Sequence, residues 1–200
     1  MNRTVAIVGR PNVGKSTLFN RLIGERKSII DDISGVTRDR IYGEVEWNGA
    51  TFDLIDTGGY VDNSQDVFEK AIKEQVKIAI DEARVILFVV DVMTGITSLD
   101  EDVADMLRKS KKDVLLIVNK VDNNKRLQEV AEFYGLGFAD LYSLSSISGS
   151  GTGEILDEVV ERLPKEIEDA ELTAEQIEEM KIPKVAIIGQ PNVGKSSLVN

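Results

Sequence analysis

Along positions 1–163, short runs of nearly continuous apolar residues alternate with longer stretches whose apolar residues return every three or four positions. Val5–Val8, Val85–Asp91 and Val114–Val118 belong to the first kind and read as strands buried on both faces. Lys15–Ile23, with Leu18, Leu22 and Ile23 in helical register, belongs to the second, as do Asp66–Glu82, Leu99–Ser110, Leu127–Tyr134 and Gly153–Leu163. Ile41–Trp47 and Thr51–Ile55 alternate apolar with polar residues and flank Asn48-Gly49, a strong hairpin signal. Leu141–Leu144 adds a short strand. Strands alternating with helices predict an α/β fold: a doubly wound, mostly parallel sheet with one antiparallel strand and helices on both faces. Glu25–Arg40 keeps no period and reads as a mobile loop.

The pattern then changes. Pro164–Pro183 carries seven acidic and two basic residues with few large apolar ones, and reads as an exposed linker, partly helical from a capping-box-like Thr173-x-x-Gln176. Beyond it, Lys184–Asn200 repeats Thr4–Asn20 with 12 of 17 positions identical at an offset of 180. That offset is the length of a domain, since solenoid repeats recur every ~20–50 residues. The expected organisation is a first domain over 1–163, an acidic inter-domain linker over 164–182 and the start of a truncated second domain over 183–200.

Composition narrows the chemistry. With 42% hydrophobic and 30% charged residues the chain is that of a globular protein, and the longest wholly apolar run, Val85–Val90, is too short to span a bilayer. Met1–Gly9 lacks the charged and apolar regions of a secretory signal. There is no cysteine and no histidine, so disulfides, thiolate metal sites and histidine bases are excluded. The net charge of −11 argues against a basic nucleic-acid footprint. A cytoplasmic location with no membrane contact and no direct nucleic-acid binding by this segment is expected.

The repeated stretch carries the chemistry. Gly9-Arg10-Pro11-Asn12-Val13-Gly14-Lys15-Ser16 fits G-x-x-x-x-G-K-[ST] between a strand and a helix. Backbone NH groups of such a loop converge on phosphates, Lys15 reaches the terminal pair, the Ser16 hydroxyl can ligate Mg²⁺, and Thr17 follows in the first turn. Gly189, Asn192, Gly194, Lys195 and Ser196 stand in the same order in the repeat. Asp56-Thr57-Gly58-Gly59 ends a strand, where open α/β sheets put their ligands, so Asp56 suits a metal-bound phosphate. Asp53, in the same strand, is read as a solvent-facing carboxylate. Asn119-Lys120-Val121-Asp122 follows another strand, and Ser145-Ser146-Ile147 faces the same crevice. The Asp122 carboxylate can accept from both the N1 and N2 hydrogens of guanine, which adenine does not supply.

Together GRPNVGKS, GVTRD, DTGG, NKVD and the Ser145-Ser146-Ile147 segment resemble the motifs of the P-loop GTPases, in the order of a G domain. Their wording and the tandem arrangement resemble the Der (EngA) family of bacterial GTPases with two consecutive G domains. The resemblance implies binding of GTP and GDP with Mg²⁺, hydrolysis of GTP, and action on a large ribosomal subunit precursor. It implies that Ser16, Thr37 and, through water, Asp56 hold Mg²⁺, and that the Gly59 NH contacts the γ-phosphate. It also implies that Asn119 and Lys120 support the base, and that Ser145, Ser146 and Ile147 close its pocket. In related GTPases with a PNxGKS loop the residue matching Asn12 helps to bind K⁺, which is implied here too.

Two positions depart from the Ras-like pattern: Tyr60 stands where those GTPases carry a water-orienting Gln, and Pro11 replaces a loop glycine. Tyr60 favours an alternative reading, a nucleotide-gated binding module with negligible turnover. A P-loop ATPase or kinase is disfavoured by Asp122, and a membrane GTPase by the lack of a lipidation motif or basic amphipathic helix. Arg38 and Asp39 receive no role, and Tyr42, Trp47 and Phe52 are expected to pack on the hairpin.

Overall fold

The computed structural model describes residues 2–24, 41–58 and 65–164, with residues 65–69 and 71 described by their backbone alone. The Glu25–Arg40 loop, Gly59, Tyr60, all but Pro164 of the acidic linker, and the second phosphate-loop motif lie outside the described residues.

Strands β1 (Thr4–Val8), β2 (Ile41–Trp47), β3 (Ala50–Asp56), β4 (Val85–Asp91), β5 (Asp113–Asn119) and β6 (Leu141–Ser143) form one sheet in the order β2-β3-β1-β4-β5-β6. Every neighbouring pair is parallel except β2 with β3. That exception follows from the hairpin: Asn48 (φ 49°) and Gly49 (φ 78°) both take positive φ, the geometry of a two-residue type I′ turn.

Alternation along the strands sorts side chains onto two faces. Val5, Ile7, Leu87, Val89, Leu115 and Ile117 pack with Leu18, Phe19 and Leu22 of α1 (Lys15–Ile23) and with Ile155, Leu156 and Val159 of α5 (Thr152–Arg162). Ala6, Val8, Phe88, Val90, Leu116 and Val118 pack on the other side with Ile72, Val76 and Ala79 of α2 (Gln65–Glu82) and Val103, Ala104 and Leu107 of α3 (Ser98–Ser110). The sheet is therefore covered on both faces, which explains why its central strands read as unbroken apolar runs.

The hairpin aromatics do not form a cluster of their own. Phe52 and Trp47 pack into the α1/α5 face and Tyr42 into the other, while Trp47 Nε1 donates to Asp157 of α5 at 2.7 Å. Asp53 is exposed, as expected. Leu127–Tyr134 is not one helix. Asn123 caps a short α4 (Asn124–Glu129) through its side chain, which accepts from Arg126 N, and a 3₁₀ helix over Val130–Leu136 then carries the chain to Gly137. The tighter coil turns Val130, Phe133 and Leu136, three residues apart, onto the α3 side of the core.

Chain order reverses at β1, whose neighbours are β3 and β4. The crevice beyond the carboxyl ends of these strands is where such sheets bind ligands. The loops after β1, β3 and β5 all open there.

Candidate functional site

Six residues, Gly9–Gly14, link β1 to α1. Asn12 (φ 65°) and Gly14 (φ 98°) take left-handed conformations, and a Cβ on Gly14 would lie 2.4 Å from Asn119 Nδ2. The loop thus approaches the β5 end too closely for a side chain at position 14, where its left-handed backbone also favours glycine. Lys15, 7% exposed, turns back over the loop and donates from Nζ to the carbonyls of Gly9 (2.9 Å) and Arg10 (3.0 Å). Burial brings its pKa down to about 8, with Asp56 opposing the shift and Arg10 adding to it.

Asp56 ends β3 beside this ammonium and is 1% exposed. Its Oδ1 accepts from Gly58 N at 2.9 Å, while Oδ2 is buried without a partner among the described residues. A cleft of about 460 Å³ opens over these groups, lined by Asn12, Gly14, Lys15, Ser16, Gly58, Gln75 and Lys120. The donor set fits a phosphate-bound Mg²⁺. One carboxylate and a helix-start hydroxyl are what such an ion takes from protein, and an orphaned buried oxygen suits a metal-bound water.

At the end of β5, Asn119 is a buried joint. Its Nδ2 donates to Val13 O of the phosphate loop (2.8 Å), and its Oδ1 accepts from Lys120 N (2.7 Å), Ser146 N (3.0 Å) and Ser146 Oγ (2.9 Å). One amide therefore fixes three loops. Lys120, at φ 68°, sends Nζ to Asn12 O (2.8 Å) and to Asp91 Oδ2 (2.6 Å). Asp122 accepts from Ser145 Oγ on Oδ1 (2.7 Å) and from Arg126 Nη1 on Oδ2 (2.5 Å). Ile147 stands 75% exposed at the rim.

The structure brings together Gly9, Asn12, Val13, Gly14, Lys15, Ser16, Thr17, Asp56, Asn119, Lys120, Asp122, Ser145, Ser146 and Ile147 around one crevice. Thr37, Gly59 and the repeat residues Gly189, Asn192, Gly194, Lys195 and Ser196 lie outside the described residues. Sequence reasoning missed four participants. Asp91, 3% exposed at the end of β4, holds Lys120, and the strand-end rule applied to Asp56 would have found it. Arg126 holds Asp122, a contact foreshadowed by the i,i+4 spacing of the two. Arg21 of α1 donates to Ser146 O (3.1 Å) and to Ile147 O, and Gln75 of α2 lines the cleft; neither gives a local signal.

A sheet of this order, with a phosphate loop after β1 and an Asn-Lys-Val-Asp turn after β5, defines the G domain of a P-loop nucleotide-binding protein. The family described as 50S ribosome-binding GTPase matches residues 4–120, and the chain belongs to that family. It is 57% identical over 200 residues to the GTPase Der of Christiangramia forsetii and 59% identical over 199 residues to that of Flavobacterium johnsoniae. Each comparison covers 100% of this chain and 44% of the relative, so the chain spans less than half the length of these proteins. Among solved structures, an Era in complex with MgGDPNP and nucleotides 1506–1542 of 16S ribosomal RNA is similar over 81% of this chain and 57% of its own, with 32% identity and a TM-score of 0.66.

Proposed function

We propose that residues 1–163 form a domain that binds GTP with Mg²⁺, cleaves it to GDP and phosphate, and acts as a switch. Residues 164–182 would be a linker and 183–200 the start of a second G domain. The observation that carries this reading is the Asn119 joint. It bolts the phosphate loop, the Asp122 turn and the Ser146 segment into one unit, so a ligand with a guanine at one end and phosphates at the other meets a single preorganised surface.

In this reading, the Gly9–Gly14 backbone and Lys15 hold the β- and γ-phosphates. Lys15 exchanges two carbonyl acceptors for phosphate oxygens. Asp122 reads guanine N1 and N2 while the Ser145 hydroxyl holds its carboxylate, Lys120 lies along the base, and Ile147 covers it. Ser16, Thr37 and, through water, Asp56 would hold Mg²⁺, which when bound supplies positive charge at the phosphate oxygens. The orphaned Asp56 oxygen supports that assignment. Thr37 and the Gly59 NH would sense the γ-phosphate, so that its loss releases both segments. Asn12 would help to hold K⁺ in the same cleft.

The family's description as a 50S ribosome-binding GTPase supports action of the longer protein on the large ribosomal subunit, which we extend to its precursor in the cytoplasm; the net charge of −11 supports the absence of direct nucleic-acid binding by this segment. Among the described residues no helix is long and apolar enough to cross a membrane. Tyr60 favours the second reading, a nucleotide-gated module without turnover. Displacement of a fluorescent GDP by GTP and by ATP tests the base assignment. GTP should compete at least about 10⁴-fold better, because adenine leaves Asp122 unsatisfied. Equal competition would refute it.

A further inference from the structure

The motif leaves Arg10 unspecified, yet it is the best anchored side chain of the phosphate loop. Its side chain is 13% exposed and donates from Nε to Asp100 Oδ2 at 3.2 Å and from Nη2 to Thr94 Oγ1. Asp100 sits 90 residues away in the first turn of α3 and is 0% exposed. The same Oδ2 accepts from Thr97 N (3.0 Å) and Thr97 Oγ1 (2.7 Å), completing a capping box, while Oδ1 has no partner among the described residues.

A cap alone does not call for this arrangement. A capping carboxylate serves its helix equally well from the surface, whereas a fully buried one must be matched by a cation. Arg10 is that cation, the only one paired with Asp100 among the described residues. The carbonyls of Gly9 and Arg10 are in turn the acceptors that hold Lys15 Nζ. The contacts also close on themselves. Thr94 bonds back to Asp91 O through N (3.3 Å) and Oγ1 (3.2 Å), Asp91 grips Lys120, and Lys120 donates to Asn12 O of the same loop. The phosphate loop is therefore tied at Arg10 and at Asn12 to one segment, Asp91–Asp100.

From this we infer that Asp100 is a positioning residue for the phosphate loop: the buried Arg10–Asp100 pair braces it and slows nucleotide release. The inference rests on the GTP-binding reading above. It assigns Asp100 an effect on phosphate retention with none on base recognition, since the base contacts are made by Asn119, Lys120 and Asp122.

The test uses the 200-residue chain and measures release of fluorescent GDP and of a non-hydrolysable GTP analogue, together with guanosine affinity by calorimetry. Asp100→Asn keeps an acceptor for Thr97 N and removes the charge that holds Arg10. Release of both nucleotides should become about tenfold faster, with guanosine affinity unchanged. Arg10→Lys keeps a cation opposite Asp100 but loses the fork that also reaches Thr94, and should accelerate release about threefold. Wild-type release rates in both variants, or a loss of guanosine affinity matching that of GDP, would overturn the brace. Should Asp100→Asn fail to fold, Arg10→Lys decides by the same criterion. A wild-type chain that binds no GDP overturns the nucleotide reading itself, and the brace with it.

Discussion

Lys15 serves the site at the expense of the fold, and the conflict can be measured. Its ammonium is buried against two carbonyls and its pKa falls from 10.5 to about 8. At about 1.36 kcal/mol per pH unit, the environment disfavours the charged form by roughly 3 kcal/mol. Below pH ~8 lysine is protonated in both folded and unfolded chains, so the penalty is present in full and independent of pH. Between about pH 8 and 10.5 the unfolded chain binds more protons than the folded one, so stability rises with pH by up to roughly 3 kcal/mol. Lys15→Met removes the charge and also the two hydrogen bonds, which return roughly 1–2 kcal/mol of the gain. The variant should therefore be about 1–2 kcal/mol more stable than wild type at pH 7 without nucleotide. That advantage should vanish or reverse by about pH 10.5. Urea unfolding of the two chains, compared at each pH so that other titrating groups cancel, gives the difference directly. Saturating GDP should stabilise wild type and not the variant. A variant less stable at pH 7, or a difference flat from pH 7 to 10.5, would refute the reasoning.

Three further substitutions probe separate parts of the account. Asp122→Asn replaces a charge-assisted pair with a mismatched amide and should weaken GDP about 100-fold or more, while improving binding of xanthine nucleotides, whose ring carries an oxygen where guanine carries its amino group. Competition binding reads both effects. Asp91→Asn frees Lys120 from its ion pair and should raise the GDP dissociation constant about three- to tenfold with little change in urea midpoint, since the amide keeps an oxygen for Met93 N (2.9 Å). Gly43→Ala on β2 is the converse control. Its Cβ would lie 2.0 Å from Ile23 Cδ1, so the urea midpoint should fall by the equivalent of about 1–3 kcal/mol while GDP affinity of the folded fraction holds.

Strand residues were legible in sequence because their environment is uniform: Val85–Asp91 is buried along its whole length and shows it as an unbroken run. The hairpin was legible because Asn-Gly suits two consecutive positive φ angles, which Asn48 and Gly49 take. The 3₁₀ segment was not, because Val130, Phe133 and Leu136 at three-residue spacing also suit an α-helix, and Asn123 and Gly137 settle the boundaries only once tertiary packing is known. Residues proposed to touch ligand follow from chemistry at fixed spacing, as in Gly9–Ser16 and Asn119–Asp122. Residues that hold those residues from distant parts of the chain do not all do so. Arg10 with Asp100 and Arg21 with Ser146 join positions 90 and 125 apart, and no local pattern encodes such pairings.

The central claim is that this domain cleaves GTP without a glutamine at position 60. The most direct measurement is single-turnover phosphate release from GTP by the 200-residue chain with Mg²⁺, in KCl and in NaCl at matched ionic strength. Phosphate should be released from GTP and not from ATP, and faster in KCl. GTP bound tightly and left intact in both salts would contradict the claim.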